Sequence, residues 1–224
     1  MKKHIGLTLA VGLMASLASM QASIIPCANN TLAALIALGS GTGNGCSVDD
    51  KIFNGFSYTP GAGAPVAALV EGQLDANTTT LTYGWLFSSL TGAFLGNFTL
   101  GFTVAVNPAV CATCTITSTE EQLFPGTAPA GAQAISVAVS AGPTPILLNN
   151  LTFAGNTNGN VISPGVTTLT KTATSSGISS TQPLLDFESD VRQSQSFIPE
   201  PATLSLMGIS LVVLGFIGRR RALK

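Results

Sequence analysis

Three acidic residues, Asp186, Glu188 and Asp190, alternate along the chain, so a strand there would project all three carboxylates from one face. Calcium favours such oxygen-rich groups, which makes a calcium ion the one cofactor the sequence suggests; otherwise none is expected. An exposed polar strand face accounts for the same spacing. Asp49 and Asp50 form a second small acidic pair. Two-carboxylate glycoside hydrolysis needs only Asp and Glu, and Glu71, Asp75, Glu120 and Glu121 are its remaining candidates. Nothing in their spacing pairs them, so no catalytic residue is assigned and no enzyme is expected. The single histidine, His4, lies in an N-terminal apolar segment. Without it, Ser-His-Asp catalysis, Cys-His catalysis and His-ligated metals are excluded together. No phosphate-cradling glycine pattern sits between a strand and a helix.

The four cysteines are Cys27, Cys46, Cys111 and Cys114, which allow three pairings. Cys27 and Cys46 flank a predicted helix, and a bridge between them would pin it to the first strand. Closing a loop of that length stabilises by about 3 kcal/mol on the chain-entropy view. Cys111 and Cys114 fall in a turn and should bridge locally. A thioredoxin-like redox pair would need a helix N-terminus to lower a thiol pKa, and the flanks here are strand-like, with Pro108 just upstream.

The elements that must position these groups are mostly strands. Between Ser23 and Ile198, charge is scarce while Gly, Thr, Ser, Asn and Ala abound, a composition suited to short strands and tight turns. No period of 20–50 residues recurs, which argues against a solenoid or propeller. One helix is predicted, capped at Asn29–Thr31, with Leu32, Leu35, Ile36 and Leu38 on its apolar side and Gly39 as its stop. Leu81, Tyr83, Trp85 and Phe87 share one strand face; Phe98, Leu100, Phe102, Val104 and Val106 share another. The link Ser88–Asn97, with two glycines, predicts a hairpin between these two strands. Further strands are predicted at Ile52–Tyr58, Val66–Glu71, Ile135–Val139, Ile146–Phe153, Val166–Thr174 and Leu184–Val191. Eight or nine strands suit a sandwich or jelly roll. The aromatic stripe could stack sugars, but a core-facing strand explains it more simply. Threonine runs at 78–82, 113–119 and 167–174 lack the common register that an ice-matching face needs, and solvent-facing strand positions explain them. Asn-x-Thr sequons at Asn29, Asn77, Asn97 and Asn150 are expected by chance in so Asn/Thr-rich a chain.

Both ends read as addresses. Lys2, Lys3 and His4 precede an apolar stretch from Ile5 to Ala18 and then small residues, the layout of a cleavable signal peptide over residues 1–22, cut after Ala18 or Ala22 and delivered through the Sec translocon. At the other end, Pro199-Glu200-Pro201 is followed by an uncharged apolar run, 202–218, and then Arg219, Arg220 and Arg221. At about 1.5 Å per residue that run is just long enough for a single transmembrane helix, and the arginines would hold its end on the cytoplasmic face. The prolines keep Glu200 extended and accessible to a processing peptidase. With both ends set aside, the body keeps Lys51, Lys171 and Arg192 against ten carboxylates including Glu200, a net charge of −7. A surface so poor in cations excludes nucleic-acid binding.

The tail, Pro199-Glu200-Pro201 with the 202–218 helix and the Arg219–Arg221 stop, resembles the bacterial PEP-CTERM sorting signal. That tail has also been labelled an ice-binding-protein C-terminal domain. The resemblance implies an exosortase-type processing enzyme as partner, in bacteria that make exopolysaccharide. The stretch Cys46–Tyr58, with its Asp50-Lys51 pair and following aromatics, resembles a motif common in exported proteins of this kind, which implies a β-sandwich body. The expected organisation is a signal peptide (1–22), an all-β, jelly-roll-like body with one short N-terminal helix (23–192), a spacer (193–198) and the sorting signal (199–224). The expected function is that of an exported surface or exopolysaccharide-associated structural or adhesive protein, anchored transiently in the inner membrane before reaching the cell surface. A surface carbohydrate-binding module is the alternative, and a membrane-anchored glycoside-active enzyme a more remote one.

Overall fold

The computed structural model describes residues 24–41, 43–125, 133–142, 145–152 and 157–194. The signal peptide, the processing motif Pro199–Pro201, the apolar run 202–218 and the arginine stop lie outside them. Among the described residues no helix is long and apolar enough to cross a membrane.

The chain forms β1 (Ile25–Pro26), β2 (Asn30–Thr31), α1 (Leu32–Ala37), β3 (Cys46–Val48), β4 (Lys51–Pro60), β5 (Val70–Asn77), β6 (Thr82–Ser89), β7 (Phe98–Val106), β8 (Ile116–Pro125), β9 (Ala134–Ser140), β10 (Pro145–Thr152), β11 (Thr157–Val166), β12 (Thr168–Ser176) and β13 (Leu184–Gln193). These make two layers. One sheet runs β1-β3-β4-β7-β12-β9-β10 and the other β11-β8-β13-β6-β5-β2. Only β1 and β3 pair in parallel.

Period-2 alternation builds the layers. Along β12, Leu169, Lys171, Ala173 and Ser175 are buried while Thr168, Thr170 and Thr174 face outward. Ile135, Val137 and Val139 of β9 point inward likewise. The interlayer space is filled by aromatic rings from both sheets. Trp85 of β6 meets Phe53 and Phe56 of β4 edge-on, at ring separations of 5.8 and 5.5 Å, and Phe87 lies 6.2 Å from Phe102 of β7. Burying each such ring stabilises by roughly 1.5–3 kcal/mol. A bulge at Gly55, whose φ of +61° favours glycine, shifts the β4–β7 register and lets both Phe53 and Phe56 reach this core.

The predicted helix forms as expected. Thr31 Oγ1 accepts the amide of Ala34 at 3.3 Å, Leu32 and Leu35 are buried, and the chain turns at Gly39. The predicted hairpin does not form. β6 pairs with β5 and β13, whereas β7 pairs with β4 and β12 in the other sheet. Both stripes still face the one core, but from opposite sheets, since alternation fixes which face is buried and not which strand lies alongside. The Ser88–Asn97 link crosses between layers, and Phe94 pins it by a backbone bridge to Leu184. Further strand expectations shift. Residues 67–69 are a 3₁₀ turn leading into β5, and the strands β8 and β11 are ones the sequence patterning does not predict. β13 continues to Gln193, which is buried and accepts a hydrogen bond from Lys51.

Candidate functional site

On the outer face of the second sheet, register lines up a row of residues across four strands. Glu120 of β8 lies opposite Asp190 of β13, Asp190 opposite Gly84 of β6, and Gly84 opposite Asp75 of β5. Two strand spacings set the backbones of Asp190 and Asp75 roughly 9.5 Å apart across the sheet. Gly84 between them has no side chain, and the Asp190 carboxylate lies over it: a Cβ there would stand 2.0 Å from Asp190 Oδ1 and 2.3 Å from Ser189 O. The hollow therefore lets the two acids converge. Glu188, the next outward residue along β13, closes the group, and carboxylate oxygens of Asp75, Glu188 and Asp190 all lie within 4.8 Å of one another. A half-open cleft of about 170 Å³ contains them, rimmed by Asn77, Thr80, Thr82, Glu120, Gln122 and Arg192.

Electrostatically the cluster is crowded. Asp190 is only 4% exposed, and its Oδ1 receives no hydrogen bond from the protein. Burial, and then the Glu188 carboxylate, push the Asp190 carboxyl up to about 8, against a smaller opposing pull from Lys171. Glu188 is raised as well, by burial and then by Asp75. Two cations stand close, and both are engaged. Arg192 holds Glu120 at 2.5 Å, an exposed pair. Lys171, reaching from β12 of the opposite sheet, pairs with buried Glu121 at 2.6 Å and donates to the Asp190 backbone carbonyl at 2.6 Å. The second buried lysine, Lys51, pairs with Asp50 at 2.7 Å, donates to Gln193 and lies 5.0 Å from the Tyr83 ring centre. Burial holds its ammonium below the ordinary lysine value despite Asp50.

The expected triad of Asp186, Glu188 and Asp190 is thus only two-thirds assembled. Asp186 shares the outward face but stands four residues from Asp190, roughly 14 Å along the strand, and is absent from the cluster. Asp75, from a strand more than a hundred residues away in sequence, takes its place. Of the residues considered for hydrolysis, Asp75 is in the cluster and Glu120 beside it, Glu121 faces the core, and Glu71 accepts a hydrogen bond from Gln73 elsewhere. Asp49 and Asp50 do not form an open acidic site, because Asp50 is fully buried. Asp50 does lie near the sulfurs of Cys111 and Cys114, but these are bonded to each other and offer no thiolate.

Both disulfides form, Cys27–Cys46 and Cys111–Cys114. The second sits in a turn built on Asn107, whose carbonyl accepts the amides of Val110 and Cys111, with no helix behind it. Tyr83, Trp85 and Phe87 are buried, so the aromatic stripe is core, and no aromatic ring among the described residues is exposed. The threonines divide: Thr168, Thr170 and Thr174 face solvent, whereas Thr82 and Thr119 are buried. Asn29, Asn77 and Asn97 use their side-chain oxygens to accept backbone amides.

The profile of the PEP-CTERM protein-sorting motif matches residues 197–221. A comparison with curated proteins returned no match. Among solved structures, TmCBM61, determined in complex with β-1,4-galactotriose, is similar at 11% identity over 62% of this chain and 88% of its own, with a TM-score of 0.33. The enzymatically active domain of bacteriophage CBA120 tailspike protein 4 is similar at 12% identity over 65% of this chain, with a TM-score of 0.30; the chain spans 19% of its length.

Proposed function

We propose that this chain, which carries a PEP-CTERM protein-sorting motif at residues 197–221, is an exported structural or adhesive component of the bacterial cell surface or its exopolysaccharide. The sorting motif is the observation that carries this reading, since it implies exosortase processing and membrane-associated delivery to the surface. A body crossed by two disulfides suits the oxidising side of the membrane. Its acidic, cation-poor surface suits a hydrated matrix more than a nucleic acid.

Glycoside hydrolysis is less well supported. A retaining or inverting pair needs two carboxyl groups about 5–9.5 Å apart flanking an accessible bond. Here Asp190, at the middle of the cluster, is nearly covered and leaves little surface to meet a glycosidic bond. Sugar stacking lacks its platform among the described residues, since every aromatic ring there is buried or half-buried. The test is fractionation of the native host with and without its exosortase. The processed protein should reach the surface or matrix fraction only when the enzyme is present. Identical distribution in both strains would reject the reading.

A further inference from the structure

We propose that Asp75, Glu188 and Asp190 form a binding site for one divalent cation of calcium's size, built on the outer face of the second sheet above Gly84.

The donor set is oxygen only. Three carboxylates converge, the Thr82 hydroxyl stands on the rim, and among the described residues no histidine or free thiol joins the group. Hard cations take such sets, while zinc and copper favour imidazole or thiolate. The span of the set fits as well. The three carboxylate oxygens lie within 4.8 Å of one another, close enough for one cation to touch all three. Magnesium, at about 2.0–2.1 Å, requires a tighter octahedral shell. The cleft leaves room beside the carboxylates for waters to complete the coordination.

The second observation is independent of the acidic count. Asp190 is 4% exposed, its Oδ1 lies in the cluster over Gly84, and among the described residues no N–H or hydroxyl donor reaches that atom. A buried carboxylate oxygen without a partner is costly, and the fold could have relieved it by placing Arg192 or Lys171 there. Instead Arg192 turns to Glu120, and Lys171 takes Glu121 and a backbone carbonyl. Glycine at position 84 keeps the hollow clear, since any Cβ would displace the Asp190 carboxylate. The two nearest cations are thus committed to other partners while three carboxylates face one another, an arrangement a bridging divalent ion relieves.

The experiment is calorimetric titration of the full chain, purified in detergent and stripped with a chelator, with calcium chloride and separately with magnesium chloride. One saturable calcium site is expected, with a Kd on the order of 10⁻⁴–10⁻³ M as for extracellular calcium modules, tighter than magnesium. Asp75→Asn and Glu188→Gln should each weaken it by about tenfold or more, since charge count tunes such sites. Asp186→Asn, on the same strand face but outside the cluster, should leave it unchanged. Unaltered circular dichroism and intact disulfides in each variant guard against misfolding. If Glu188→Gln fails to fold, the Asp75 and Asp186 variants alone still decide. No saturable calcium binding, equal loss in the Asp186 and Asp75 variants, or a carboxyl infrared band at neutral pH showing a shared proton in calcium's presence would each overturn the proposal. Because the measurement needs no export, its failure would leave the surface assignment standing.

Discussion

At the scale of residues, the two buried lysines do the work that an apolar core cannot. Lys171 ties Glu121 across the interlayer space, so Lys171→Met strands a buried carboxylate and should cost about 3–5 kcal/mol by urea unfolding. Adding Glu121→Leu should restore most of that loss, because replacing both charges by packed apolar groups is close to neutral. A double variant as unstable as the single one would contradict the pairing. Lys51 gives a pH signature. Its ammonium is held below 10.5 by burial, so the folded chain releases that proton at lower pH than the unfolded chain does. Between the lowered value and 10.5 the unfolded state binds more protons, so this group makes stability rise with pH. The slope of unfolding free energy on approaching pH 10.5 from below should therefore be more positive in the wild type than in an Asp50→Asn, Lys51→Met variant. An equal slope would remove Lys51 as a titrating group. The cluster partner Asp75 was not legible, since nothing along the chain relates it to Glu188. The one local hint was Gly84, a glycine interrupting an aromatic strand between Tyr83 and Trp85.

Elements were legible where one face meets the core and the other meets water. Tyr83–Phe87, Phe98–Val106 and Ile135–Val139 alternate for that reason, and α1 announces itself through Thr31 and Gly39. Pairing was not legible. Alternation reports which face is buried but not which strand lies alongside, so adjacent β6 and β7 read as a hairpin although they belong to opposite sheets. β11 escaped because its Asn, Gly, Ser and Pro residues carry little apolar periodicity and only Ile162 is fully buried among its described side chains. The disulfides act at this scale too. On the chain-entropy view, a separation of 19 residues against 3 makes Cys27–Cys46 the more stabilising bridge by about 1.6 kcal/mol. Removing it by paired Cys→Ser substitution should lower the unfolding free energy more than removing Cys111–Cys114. The reverse order would place the stabilisation outside loop closure. Thr31→Ala should cost about 1 kcal/mol, the usual loss for an N-cap hydroxyl, read from the same urea curves.

For the whole molecule, a stapled two-sheet body precedes a short sorting motif, and the two speak to different questions. The motif at 197–221 concerns destination, while the body supplies an acidic, oxygen-lined outer face and a closed core. The sequence's charge distribution carried this division plainly: six of nine cations sit in the terminal segments, leaving a body with a net charge of −6, or −7 if Glu200 is counted. What the body contacts was less legible, because side chains that converge on a sheet face come from strands far apart in the chain. The most direct test is mass spectrometry of the protein recovered from the surface or matrix fraction of its native host. The account predicts four oxidised cysteines, a new N-terminus within residues 18–23 and a C-terminus near Pro199–Pro201. An intact chain recovered from the cytosol, with its thiols reduced and both ends retained, would contradict it.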